Sequence, residues 1–189
     1  MCIRDRFVSL DIAGFSVGAG PSTKELYFRW TELGAFAPVM RTHQGADKLN
    51  NWNWNSDEET TEHFRKFTFV HCALADDVKA LAEEAVRTGA PLVRHLMLVF
   101  PEDTETWDIS DQFMIGEDLL VAPVVAQGAT TKSVYFPEGT WFNVWTGDSV
   151  SGGQRIEVAA PLGSPPVFSR GQDRTDIRDW ATLSYDDCR

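Results

Sequence analysis

A chain of 189 residues, 43% hydrophobic and 24% charged, has a globular composition and room for one ordinary domain or two small ones. It is too short for a complete eight-fold α/β barrel, which takes about 250 residues. The formal net charge of -11, with no Lys/Arg-rich run to neutralise phosphates, argues against a nucleic-acid partner, and no apolar run approaches the roughly 20 residues of a membrane span.

The first six residues, Met1 to Arg6, do not fit the strand that follows and read as a translated adapter, a sequencing scar. The native sequence is taken to resume near Phe7, with the true amino terminus and any secretory signal missing. Phe7 to Ile12 is a short apolar strand candidate ending at Asp11. Ala13-Gly14 and Gly18-Ala19-Gly20-Pro21 form a turn-permissive loop, which suits either a pocket cap or an ordinary strand-to-helix connection. Ser22-Thr23-Lys24-Glu25 spells a capping box, and the helix it opens is expected to bury Leu26, Trp30 and Leu33 and to end near Gly34. Phe36 to Met40 is the next strand, weakened by Pro38, and it delivers Arg41-Thr42-His43. In parallel α/β architectures chemistry sits at the carboxyl ends of strands, so Asp11, Phe15, Arg41 and His43 are the first site candidates. The polar loop Gln44 to Asn55 carries Trp52 and Trp54, which suit sugar stacking and rim packing about equally.

Ser56 to Glu59 spells a second capping box, opening a helix whose apolar face carries Phe64, Phe67, Thr68 and His71. His63 and His71 lack a third ligand at helical spacing and read as core and surface histidines, so no metal is expected. Leu74 to Thr88 forms a helix with Val78, Leu81, Ala82 and Ala85 on one stripe, ended by Gly89 and Pro91. The apolar run Leu92 to Phe100 reads as a parallel strand buried on both faces, part of the closing turn of a barrel, with Arg94 and His95 in structural roles.

At Pro101 the character changes. Short strand candidates at Leu119 to Val125, Lys132 to Phe136, Thr140 to Trp145, Gln154 to Val158 and Pro166 to Ser169 suggest an antiparallel β sandwich. The organisation read from the chain is residues 7–101, then 102–170, then a polar, peripheral tail at 171–189 with a short helix around Trp180. Alternation along Thr140 to Trp145 puts Trp141 and Trp145 on one strand face, with Phe142 a further candidate for exposure. Cys2, Cys72 and Cys188 are odd in number and far apart, which favours a reducing, cytoplasmic setting over a disulfide framework.

Two motifs carry a resemblance. Asp11-Ile12-Ala13-Gly14-Phe15, with Glu25 to Trp30, Gly34 to Pro38 and Arg41-Thr42-His43, resembles the late-barrel signature of glycoside hydrolase family 31, and Gln112 to Val124 resembles that family's passage from barrel to β domain. The resemblance implies the last βα units of a (β/α)8 TIM barrel followed by an antiparallel β-sandwich domain, an α/β plus all-β chain. It implies a retaining α-glycosidase acting on a small-molecule or oligosaccharide substrate without a cofactor. The family's two catalytic aspartates precede the Asp11 motif, so no catalytic residue is expected here and the segment alone should be inactive. By the same resemblance Asp11 and His43 hydrogen-bond sugar hydroxyls, Phe15 supplies an apolar wall, and Arg41 holds a carboxylate of the barrel mouth. Ala13 stands where the family usually has glycine, and Phe15 stands where its sulfoquinovosidases resemble one another in having tyrosine. An α-glucosidase is therefore the first expectation and a sulfoquinovosidase the second. A reading of another class is a non-catalytic carbohydrate-binding or scaffold β domain displaying Trp141, Phe142 and Trp145.

Overall fold

The computed structural model describes residues 8–14, 20–45, 47 and 49–184. The adapter-like residues 1–6, the site candidate Phe15 and the Gly18-Ala19 part of the loop lie outside the described residues. Two strands, β1 (Ser9–Ile12) and β2 (Val39–Thr42), pair in parallel, and helix α1 (Lys24–Ala35) crosses between them. Strand β2 begins after Pro38 rather than at Phe36. Phe36 instead caps α1, where its N–H donates to the Gly34 and Leu33 carbonyls and its ring is buried. Helix α2 (Glu58–Ala73) and helix α3 (Ala75–Thr88) follow, and Gly89 closes α3 at φ 82 as the sequence predicts.

Both capping boxes shift by one residue. Thr23, not Ser22, caps α1 by accepting the Leu26 N–H, and Asp57, not Ser56, caps α2 by accepting the Thr60 N–H. Ser22 is occupied elsewhere, because its N–H donates to Asn51 Oδ1. The buried faces shift with them. Helix α1 buries Tyr27, Phe28, Thr31 and Ala35, and α2 buries Thr60, His63, Phe67 and Val70. Leu26 and Leu33, expected in the core, line an open apolar groove of about 360 Å³ with Pro123, Val124 and Val125, whereas Trp30 borders that groove and also packs on the core of Ile12, Tyr27 and Phe28.

The expected strand at Leu92 to Phe100 is not one. Only β3 (Val93–Arg94) is extended, and His95 then caps a single helical turn, α4 (Leu96–Val99), by accepting the Met97 N–H. An apolar run alone does not separate strand from helix. Nor does β3 join β1 and β2: it pairs antiparallel with β4 (Phe113–Ile115).

From β4 the chain adds β5 (Leu119–Val121), β6 (Thr131–Phe136), β7 (Thr140–Asn143), β8 (Ser149–Ser151), β9 (Gln154–Ala159) and β10 (Val167–Arg170). An antiparallel six-stranded sheet runs β3-β4-β5-β10-β7-β8, and β6 and β9 form a separate antiparallel ribbon. Period-two alternation divides the sheet's side chains between two cores. Met114, Leu120, Trp141 and Phe168 pack beneath Val134 and Phe136 of the ribbon. Ile115, Leu119, Val121 and Val167 pack on Phe36, Phe67, Val70 and Leu74 of the helical part. The antiparallel sandwich expected from the strand spacing is present, with helices covering its other face.

The tail is not peripheral. Helix α5 (Thr175–Ala181) inserts Ile177, fully buried, into the helix-side core, and Arg174 pairs with Asp77 and Asp176. The two tryptophans do not share a face either. Strand β7 ends at Asn143, whose Oδ1 accepts the Trp145 and Thr146 N–H groups in a turn. Trp141 is completely buried between sheet and ribbon, whereas Trp145 packs edge-on to Phe36 and Phe67. Phe142 is half-buried.

Helices and sheet meet at a seam built from charge. Arg29 on α1 donates through Nη2 to the Ala129 and Ala160 carbonyls, at 2.9 and 2.7 Å, and through Nη1 to Glu32 at 3.0 Å. Glu32, 2% exposed, accepts the Gly163 N–H at 2.6 Å. Lys66 of α2 donates to the Gly163 carbonyl and lies 5.2 Å over the Trp145 ring. His63 stacks on Phe28 at 3.9 Å with Nε2 3.2 Å from the Phe28 carbonyl. Burial raises the Glu32 carboxyl above its ordinary range, against the Gly163 N–H and the Arg29 guanidinium, and pushes the His63 imidazole down to about 4.

Arg29→Ala should lower the urea-unfolding free energy by about 3–5 kcal/mol, because buried Glu32 loses its hydrogen-bonded counter-ion and keeps only the longer-range charge of Lys66; an Arg29→Met/Glu32→Met pair should recover much of that loss. The protonation of His63 gives a separate expectation. Its folded value near 4 lies below its ordinary 6.5, so the unfolded chain takes up the proton first. Stability from His63 is complete above pH 6.5 and falls by about 3 kcal/mol as pH drops toward 4. Glu32, shifted upward, acts with the opposite sign, so the measurement is the difference in pH dependence between wild type and His63→Phe. Identical pH profiles for the two would rule out the buried neutral histidine.

Candidate functional site

Parallel pairing sets Asp11 opposite Arg41, between the flanking pairs Leu10 with Met40 and Ile12 with Thr42. Ile12 turns toward α1: a Cβ at Gly34 would lie 2.6 Å from Ile12 Cδ1, with Met40 beside it at 3.9 Å. Alternation along each strand then directs Asp11 and Arg41 to the opposite side, away from the helix. Arg41 donates from Nε to Asp11 Oδ1 at 2.8 Å and from Nη2 to the same oxygen. The Asp11 side chain is 25% exposed and that of Arg41 54%, so the pair is open to solvent rather than sealed in the core. Among the described residues both bonds fall on Oδ1 and none on Oδ2.

His43 follows β2 directly, and its N–H donates to the Ile12 carbonyl at 2.8 Å, continuing the ladder by one step. It therefore keeps the parity of Arg41, and Asp11, Arg41 and His43 share one face at the carboxyl ends of adjacent strands. His43 Nδ1 accepts the Gly45 N–H at 2.8 Å. A ring nitrogen that accepts carries no proton, so the ring presents its N–H at Nε2.

The backbone next to Asp11 is strained. The Gly14 N–H closes a turn on the Asp11 carbonyl at 2.9 Å, and Ala13 occupies the third position of that turn at φ 86. Glycine suits that position, and a Cβ there is crowded. The two loops also touch: Gly45, at φ 64, leaves no room for a Cβ, which would lie 2.7 Å from the Gly14 carbonyl oxygen and 2.8 Å from Asn51 Nδ2.

Asn51 is a site-region residue that pattern reading does not single out. Its Oδ1 accepts the Ser22 N–H and its Nδ2 donates to the Gln44 carbonyl, each at 2.9 Å. Nothing in hydrophobic periodicity marks it, since it is one of several asparagines in a polar loop. Of the loop tryptophans, Trp52 is half-buried with Nε1 donating to Thr60 Oγ1 at 2.9 Å, which makes it a packing residue. Trp54 is 48% exposed. His63 and His71 are both committed to backbone carbonyls, of Phe28 and Ala35, and among the described residues no group of three His, Cys, Asp or Glu could hold a metal ion.

Comparison with known proteins gives a consistent picture. The profile described as the glycosyl hydrolases family 31 TIM-barrel domain matches residues 5–77, and that of the family's C-terminal domain matches residues 89–173. A sulfoquinovosidase of Agrobacterium fabrum is 42% identical over 162 residues, covering 85% of this chain and 24% of the relative. Alpha-glucosidase 2 of Bacillus thermoamyloliquefaciens is 32% identical, covering 86% and 20%. Among solved structures, a sulfoquinovosidase from E. rectale in complex with an aza-sugar inhibitor superposes with a TM-score of 0.85 at 35% identity, covering 95% of this chain and 27% of that one. The chain thus spans about a quarter or less of the length of the curated relatives it matches.

Contrasting substitutions test the turn geometry. Ala13→Gly should leave stability unchanged or raise it by up to about 1 kcal/mol, as relief of strain offsets added unfolded-state freedom. Gly45→Ala should cost about 1–3 kcal/mol, because the methyl meets backbone on one side and the Asn51 amide on the other. Thermal unfolding of the two variants measures both.

Proposed function

Because the chain belongs to glycosyl hydrolase family 31, we propose that it is the substrate-clamping segment of a retaining α-glycosidase, carrying sugar-binding residues while the two catalytic carboxylates lie outside it. What carries the reading is the grouping of the Arg41-held carboxylate of Asp11 with His43 on one open face at the strand ends. In this reading Asp11 Oδ2 accepts from a hydroxyl of the terminal sugar, and His43 Nε2–H donates to a neighbouring hydroxyl oxygen. Arg41 keeps the carboxylate from rotating, and Phe15 supplies an apolar wall. Asp11 does not suit attack on the anomeric carbon, because one oxygen is already committed to a guanidinium. Retaining chemistry needs two carboxylates about 5–5.5 Å apart, and Asp11 is offered here as neither.

An α-glucoside is the first substrate reading, because Phe15 has no hydroxyl to offer a sulfonate-bearing sugar. A sulfoquinovoside is the second, supported by the 42% identity to a sulfoquinovosidase against 32% to an α-glucosidase. The alternative of a free-standing carbohydrate-binding β domain is disfavoured by the burial of Trp141 and the packing of Trp145 in the seam. For domain organisation we propose a division between α3 and β3, because β3 hydrogen-bonds to β4 and the C-terminal-domain profile begins at residue 89, directly after α3.

The isolated chain should show no turnover of 4-nitrophenyl α-glucopyranoside, and hydrolysis traceable to it would overturn the placement of the carboxylates. In the full-length protein Asp11→Asn should lower kcat/KM about 10- to 150-fold, the range for a hydrogen bond to a charged group worth about 1.5–3 kcal/mol. Unchanged kinetics on both the α-glucoside and the sulfoquinovoside would exclude Asp11 from the clamp.

A further inference from the structure

Resting on the sugar-clamp reading of His43, we propose that Asn51 is a positioning residue for that histidine. The connection is short and each step is a contact. Gly45 donates its N–H to His43 Nδ1 at 2.8 Å and so selects the ring's orientation and tautomer. Gly45 is itself wedged between the Gly14 carbonyl and the Asn51 amide, with no room for a Cβ on either side. Asn51 Nδ2 donates to the carbonyl of Gln44, the residue joining His43 to Gly45. Asn51 Oδ1 is fixed in turn by the N–H of Ser22, two residues before α1.

A second pair of bonds keeps Asn51 from drifting. The Trp52 N–H donates to the Ser22 carbonyl at 3.3 Å, and the Ser22 hydroxyl donates to the Trp52 carbonyl at 3.4 Å. The turn from Asp47 closes on the Asn51 N–H at 3.0 Å. One side-chain amide therefore ties the loop that follows β2 to the start of α1, the element that also carries the seam.

An amide is required because the position needs both an acceptor for Ser22 and a donor for Gln44. Aspartate keeps the first and replaces the second with lone pairs facing a carbonyl. Asn51 touches no substrate in this scheme. It acts by keeping Gly45 where its N–H meets Nδ1, so that the proton stays on Nε2 and aims at the ligand.

The test is a double-mutant cycle in the full-length protein, assayed on 4-nitrophenyl α-glucopyranoside and the corresponding sulfoquinovoside, with thermal unfolding of every variant. Asn51→Ala and Asn51→Asp should each lower kcat/KM about 10-fold or more, chiefly through KM. In a His43→Ala background the same substitutions should have almost no further effect, because their route to the substrate is already gone. Asn51→Asp, which retains the Ser22 bond, preserves the fold if the alanine variant does not. Full additivity of Asn51 and His43 substitutions would overturn the positioning role while leaving the clamp intact. A silent His43→Ala would overturn the clamp itself, and this inference with it.

Discussion

The position of α1 depends on one buried guanidinium. Arg29 bridges the Ala129 and Ala160 carbonyls and the Glu32 carboxylate, and Glu32 holds the Gly163 N–H, so helix and β-domain loops share one closed set of hydrogen bonds. Buried charge is costly unless it is paired, and here the loops and Glu32 supply acceptors for both terminal nitrogens of Arg29, while its Nε has no partner among the described residues. Such an arrangement tolerates little sliding. An apolar seam alone would permit several docking registers, whereas these donors and acceptors select one. Since the amino-terminal end of α1 anchors the loop beside His43, the seam at the helix's other turns also bears on the geometry of the strand-end site.

The six-stranded sheet makes this docking rigid. β5 is buried at every residue, and its side chains alternate between the helix-side core at Leu119 and Val121 and the ribbon-side core at Leu120. A one-residue slip would send each into the wrong layer. Because β5 pairs with β10 and β4, that penalty propagates across the sheet. The loop at 160–163 leads into β10 and is fixed at its downstream end by the same register, which is why it can serve as a firm partner for Arg29.

Much of this was legible in the sequence, and the failures have definite causes. Strand β9 was marked to within a residue at its carboxyl end, and β6 to within a residue at its start, because period-two patterns bounded by glycine and proline leave few alternatives. Short strands β4 and β8 were missed, since three residues do not establish a period. The run at Leu92 to Phe100 misled because its hydrophobicity reflects burial in a turn of helix as readily as in a strand. In α1 the apolar residues Leu26 and Leu33 line a groove while Arg29 and Glu32 are buried beside Tyr27 and Phe28, a placement of charge that hydropathy does not mark and tertiary pairing explains. The strand-end positions of Asp11 and His43, on which the proposed site rests, were legible from strand pattern and motif. Its support was not: Asn51 and Gly45 act through tertiary hydrogen bonds and close backbone contact that carry no periodic signal.

The turn at Ala13 connects strain with the site. A non-glycine residue at φ 86 costs about 1–2 kcal/mol and persists only where its surroundings over-determine it. Here those surroundings are the Gly14 bond back to Asp11, the Ile12 contact with α1, and the Gly45 backbone pressed on the Gly14 carbonyl. Each belongs to a different element, and all three must be satisfied at once for Asp11 to stand opposite Arg41. If the loop after β2 relaxed, the turn would relax with it, and the carboxylate would lose the orientation that pairing with Arg41 gives it. Strain at Ala13, the wedge at Gly45 and the Asn51 tie are thus parts of one constraint, which keeps two adjacent strand ends presenting their polar groups to the same side.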